Sequence, residues 1–243
     1  MSSKTSVGQR LNFLNASAAI KRAGMNPGKA VLSSSYLRLE TLINATSSST
    51  NLRFDVLVNE NTQQATFPTQ QKLNLQDAFV CSSIGLYLGC PGGLTDTTFR
   101  LLSYPSVGNI SGTAGNFQAA QAAAAQVIYN GYLSLTINQR TILPYWDLAR
   151  HLDIPQTQAA AVVASNTAAP ATPNFWHFTD DFFDGGDSAQ YPCEPNIIFS
   201  GAKKHDLTIT LPSGIPTTSL PGNGIRVVLL LRGILAQNVT SVN

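Results

Sequence analysis

Charge of one sign is missing from the start of this chain: no acid occurs among its first 39 residues, which carry Lys4, Arg10, Lys21, Arg22, Lys29 and Arg38. From Glu40 onward the balance reverses to 9 bases against all 13 acids, so a +6 leader precedes a body of net −4. The overall +2 hides that split. A cationic segment joined to a weakly acidic body suits a polyanion or an acidic neighbouring subunit, because attraction to phosphate needs no base-specific contact. Only Phe13 and Tyr36 interleave with the bases, so stacked reading of single-stranded bases is not indicated.

Charge is scarce throughout, at 12% of residues, about half the share in an average soluble domain. Two readings compete: a neutral, polar-surfaced β protein, or a surface largely covered by neighbours, where charge is depleted. Cysteine is also sparse. Cys81, Cys90 and Cys193 form an odd set with no C-x-x-C pair, which argues against a disulfide framework and a zinc cluster. No apolar run longer than a few residues precedes Val31-Leu32, so no secretory core is visible and synthesis in a cytoplasm is expected. The longest apolar stretch, Val227 to Leu231 within Ile225 to Leu235, is far shorter than the roughly 20 residues of a membrane helix and reads as a buried strand. Without an export signal, the N-x-Ser/Thr triplets at Asn15, Asn44, Asn109 and Asn238 are chance matches.

Catalytic signatures are missing as well. There is no G-x-S-x-G, no phosphate-binding glycine loop, no H-E-x-x-H and no dinucleotide fingerprint. The histidines, His151, His177 and His205, lie in no motif and read as structural or surface residues. No enzymatic activity, cofactor, resident metal or small-molecule substrate is expected.

What is present is period and punctuation. Over Val7 to Ala23, Leu11, Leu14 and Ala18 recur on one helical face, with Gly24 as the stop. Asn26-Pro27-Gly28 then breaks the chain, and Val31 to Ser35 leads into extended structure. The expected division is an arm over 1–35 and a β-sandwich over 36–243.

From Tyr36 the pattern alternates with period two. Strands are expected at Tyr36–Ile43, Leu52–Val58, Ala65–Phe67, Phe79–Leu88, Thr97–Ser103, Tyr132–Ile137, Thr141–Tyr145, Asn196–Phe199, Asp206–Leu211 and Ile225–Leu235. Asn138-Gln139-Arg140 separates two of them as a hairpin loop. The alanine-rich run Phe117 to Ile128 predicts an inserted helix stopped by Asn130-Gly131, and a second short helix is expected from Tyr145 or Trp146 to Leu152. About ten strands with inserted helices describe an all-β antiparallel sandwich, and a jelly roll with its eight strands fits the count.

One acidic cluster stands out, running from Phe175 to Asp187 and holding Trp176, Phe178, Asp180, Asp181, Asp184 and Asp187. Its carboxylates and glycine pair could wrap calcium, but the spacing lacks the D-x-D-x-D-G loop with its distant Glu. A pair of carboxylates for glycoside cleavage is a further alternative, unsupported elsewhere in the chain. The preferred reading is a contact loop whose aromatics dock on the body or a neighbour while the acids stay wet.

An acid-free amphipathic arm before a charge-poor β body resembles the single jelly-roll capsid proteins of icosahedral viruses. The residues that carry the resemblance are the arm from Lys4 to Arg38, the strand Phe79–Leu88 and the closing strand Ile225–Leu235. It implies a major capsid subunit that assembles into a shell, with strands in the wall and the arm inside it or clamping a neighbour. The implied partners are copies of itself, other virion proteins, and nonspecific nucleic acid or an inner membrane beneath the arm. The implied location is the virion, assembled in a host cytoplasm. Six bases are fewer than many genome-binding arms carry. The alternative, from a different class, is a β-sandwich module that recognises carbohydrate or a receptor through the loop around Trp176.

Overall fold

The structure, a computed structural model, describes residues 4–43, 49–60, 67–89, 91, 95–99, 101, 126–151, 190–215 and 224–239. Helix α1 (Lys4–Arg22) stops at Gly24, which adopts φ +81°. There the Gly24 N–H donates to the Lys21 carbonyl at 3.0 Å and the Met25 N–H to the Ile20 carbonyl at 3.2 Å. This Schellman cap needs a left-handed residue, which glycine supplies without steric cost. Lys21 and Arg22 occupy the last turn, at the negative end of the helix dipole.

A 3-10 turn (Pro27–Lys29) leads into eight strands. They are β1 (Val31–Ile43), β2 (Asn51–Phe54), β3 (Ala78–Gly89), β4 (Tyr132–Ile137), β5 (Arg140–Asp147), β6 (Gln190–Ser200), β7 (His205–Thr210) and β8 (Ile225–Gln237). Two four-stranded sheets result, ordered β1-β8-β3-β6 and β2-β7-β4-β5, with every pairing antiparallel. The chain is an all-β sandwich, as the period-two runs predict.

Pairing is nested: β4 lies beside β5, β3 beside β6, β2 beside β7 and β1 beside β8. Those are the neighbours of one long hairpin folded over on itself. The β3–β8 and β4–β7 ladders then join its arms into two sheets. At the β4–β5 turn, Asn138 and Gln139 both take positive φ, at 45° and 67°, which matches the twist of a tight hairpin.

Alternation decides what is buried. Leu37, Leu39 and Ile43 of β1 and Val227, Leu229 and Leu231 of β8 face Phe54, Leu135, Leu207 and Ile209 of the opposite sheet in one core. In β3 the inward set switches from Phe79 and Cys81 to Ile84, Leu86 and Leu88. The switch falls at a bulge between Cys81 and Ser83, where Ser82 is the extra residue and its hydroxyl donates to the Arg232 carbonyl at 3.1 Å. Both β3 segments thereby face the core despite their broken period.

Several expectations are corrected. The buried stripe of α1 is Ala16 and Ile20, with Phe13 and Ala19 partly covered, whereas Leu14 is 67% exposed. Both stripes have helical spacing; small Ala16 wins because it lets the helix approach a sheet face built from Ala78, Val80, Ile234 and Ala236. β1 begins at Val31, inside the expected arm, and residues 55–58 leave the strand after β2. Phe67 and the described part of Thr97–Ser103 are not strands: Phe67, Phe99 and Leu101 lie on the outer face of the β1-β8-β3-β6 sheet as covers. Trp146 continues β5, and only Leu148–His151 turn, as a 3-10 segment. Of the alanine-rich helix, residues 126–129 are helical and the remainder lies outside the described residues.

Candidate functional site

The outer face of the β1-β8-β3-β6 sheet carries a buried ion network and a groove. Register places Leu32 beside Ala236, Ser34 beside Ile234, Tyr36 beside Arg232, Arg38 beside Leu230, and Glu40 beside Val228. All of these side chains point away from the core. One end of the face lies under α1, where Ala16 and Ile20 close over Val80 and Ile234.

The other end holds a buried ion network. Glu40 Oε1 is 2.6 Å from Arg38 Nε and accepts from the Thr69 hydroxyl at 2.6 Å, while Arg226 Nη1 stands 3.4 Å from Glu40 Oε2. Arg226 also donates to the Asp96 carbonyl at 3.1 Å and packs on the rings of Phe67 and Phe99, at 4.4 and 4.5 Å. Burial pushes its guanidinium below the usual range, and the Glu40 carboxylate opposes that shift. One carboxylate thus serves two arginines in a site closed by aromatic rings.

Between these covers runs a groove of about 860 Å3. Tyr36, Arg38 and Arg232 form its floor, Asn15 and Ala16 of α1 one wall, and Leu101 the other. Hydroxyls and guanidinium groups here can bind an anion or an extended backbone. A second aromatic group lies at the end of β5: Tyr145 stacks on Tyr132 at 4.6 Å, and Arg150 packs over Trp146 and Tyr191.

The arm residues of the sequence reading are dispersed. Lys4 and Arg10 fall on α1, Lys21 and Arg22 are exposed at its end, and Lys29 closes the 3-10 turn. Arg38 separates from them: it stands on β1, paired with Glu40 and 21% exposed, so its charge belongs to the sheet. Trp176, Phe178, Asp180, Asp181, Asp184 and Asp187 lie outside the described residues, as do His177 and Cys90.

Two histidines and two cysteines are held by buried contacts within the sandwich. His151 accepts from the Trp146 indole at 3.1 Å, and His205 Nε2 accepts from the Ser200 N–H at 3.3 Å. Desolvation, aided by Lys203, lowers His205 to about 4. Cys81 and Cys193 are free, buried thiols, and the hydrogen bond they share together with burial raises Cys81. Among the described residues no cluster of three or more His, Cys, Asp or Glu could hold a metal, and no helix is long and apolar enough to cross a membrane.

Sequence reasoning missed the Glu40–Arg226 pair. The available signal was Arg226 itself, a lone charge at the start of the most apolar run in the chain. The chain matches no protein-family model, no curated protein and no solved structure.

Proposed function

We propose that this protein is a virion structural subunit, a jelly-roll capsid protein that acts by assembling with copies of itself. The observation that carries this reading is the nested pairing of β1 with β8, β2 with β7, β3 with β6 and β4 with β5. Two four-stranded sheets made by rolling one long hairpin are the connectivity of a jelly roll, a fold used for viral shells. Support also comes from the charge-poor composition and from a cationic leader docked on the outside of one sheet.

In the assembled particle the sandwich forms the wall. Lys21 and Arg22, exposed at the end of α1, face nucleic acid, an inner membrane or neighbouring subunits and other virion proteins. The place of assembly is the host cytoplasm. Electron microscopy of concentrated protein tests the reading: shells or flat lattices are expected, and particles of single-chain size at every salt and pH would overturn it.

One observation favours a second reading, a sandwich that binds carbohydrate or a receptor. Tyr145, stacked on Tyr132, is 62% exposed and offers a flat platform. Glycan binding lost in Tyr145→Ala, with the melt unchanged, would support it.

A further inference from the structure

The two sheets have four edge strands, β1, β6, β2 and β5. Three are blunted in recognisable ways. Pro144 interrupts β5, Pro192 and Pro195 interrupt β6, and β2 is only four residues long. β1 is different: it runs 13 residues, and between Ala30 and Leu37 it has neither a proline nor a charge.

Backbone orientation along β1 follows from one contact. Arg38 exchanges both its N–H and its C=O with Gln71, at 2.9 and 2.8 Å, on the side away from β8. Groups alternate sides along an antiparallel strand, so Leu32, Ser34 and Tyr36 turn the same groups to the open edge. None of these has a hydrogen-bond partner among the described residues. Helix α1 packs chiefly on β3, β6 and β8, and it meets β1 through the side chain of Leu32 on the outer face, not through the edge-facing backbone groups. Val31, Ser34 and Tyr36 are exposed there.

We infer that residues 31–36 of β1 form a two-fold strand-pairing site for the same strand of a second copy, an inference that rests on the assembly reading above. Antiparallel pairing centred on Ser34 sets Ser34 opposite its equivalent and Leu32 opposite Tyr36 of the partner subunit. Every edge-facing N–H and C=O of Leu32, Ser34 and Tyr36 is then satisfied, because one residue of each hydrogen-bonded pair supplies what the other needs. Leu32 and Tyr36 meet across the strands on the outer face, a favourable aliphatic–aromatic pair. Lys29 and Arg38 fall out of register with each other, so like charges do not oppose. The Arg38–Gln71 contact marks where the open edge ends.

Ser34→Pro tests the site in the full chain. It removes an edge-facing N–H and leaves the β8 ladder intact, since Ser34 does not donate to β8. Sedimentation is expected to show association weakened about tenfold or more, with an unchanged melt. In the unmodified chain, amide exchange at Leu32, Ser34 and Tyr36 is expected to slow as protein concentration rises, a readout that decides the matter even if Ser34→Pro does not fold. Assembly of Ser34→Pro equal to that of the unmodified chain, or fast exchange of those amides within assembled material, overturns the β1 pairing and leaves the capsid reading standing. An unmodified chain that never associates overturns both.

Discussion

Arg226 Nη1 lies 3.4 Å from Glu40 Oε2, and neither side chain reaches solvent. Removing one member of a buried pair strands the other charge, which is far more costly than replacing both. Glu40→Gln is therefore expected to lower unfolding free energy by about 3 kcal/mol, measured by urea denaturation. The double variant Glu40→Leu with Arg226→Met is expected to recover much of that loss. A double variant as unstable as the single one would show that packing, and not charge pairing, holds this end of the sheet.

His205 sits at the start of β7, 1% exposed. Its Nε2 accepts from Ser200, which puts the proton of the neutral ring on Nδ1, an atom with no hydrogen-bond partner among the described residues. The folded value of about 4 lies below the ordinary 6.5, so the unfolded chain binds more protons between those limits. Stability is complete above about 6.5 and is lost as pH falls towards 4, by on the order of 3 kcal/mol. Denaturation midpoints from pH 7 to pH 4 measure this, and His205→Gln is expected to flatten the decline. An equally steep decline in that variant would assign the acid sensitivity to other groups.

Ile20 is fully buried between α1 and the sheet. Ile20→Asp places a charge in that apolar seam and is expected to release the helix without unfolding the sandwich, because Ile20 belongs to a cluster separate from the main core. Trypsin cleavage at Lys21 and Arg22 should then accelerate about tenfold, as expected for local opening, while the thermal melt of the strands persists. Loss of the whole melt would show that α1 is integral to the fold.

Gly233 passes beside the β3 bulge, where an added Cβ would run into the Val80 carbonyl oxygen. Backbone cannot yield there without breaking the β3–β8 ladder. Gly233→Ala is expected to cost about 3 kcal/mol or to prevent folding, read as a drop in melting temperature. A melt within a few degrees of the parent would mean that the bulge can relax.

Local chemistry determined the sandwich class, the long strands and several boundaries from residues alone, but not the covers at Phe67 and Phe99, which share the strands' apolar character without their pairing. Alternation in Tyr36–Ile43 specifies both a strand and its inner face, because side chains of an extended chain point to opposite sides in turn, whereas the unbroken apolar run Val227–Leu231 specifies a buried strand but not which side faces the core. Gly24 ends α1 for an equally local reason, the left-handed cap. The tertiary structure alone decided which of two similar helix stripes is buried, since that depended on the small residues Ala78 and Ala236 beneath Ala16. It also moved Arg38 from a cationic leader into an ion pair. The period of the expected strand already puts Glu40 on the same face as Arg38, but nothing local shows that Arg226 arrives from the far end of the sequence to share its carboxylate. The same holds for the open edge at Leu32, Ser34 and Tyr36: which backbone groups lack partners is settled by distant strands, and no short-range pattern encodes that.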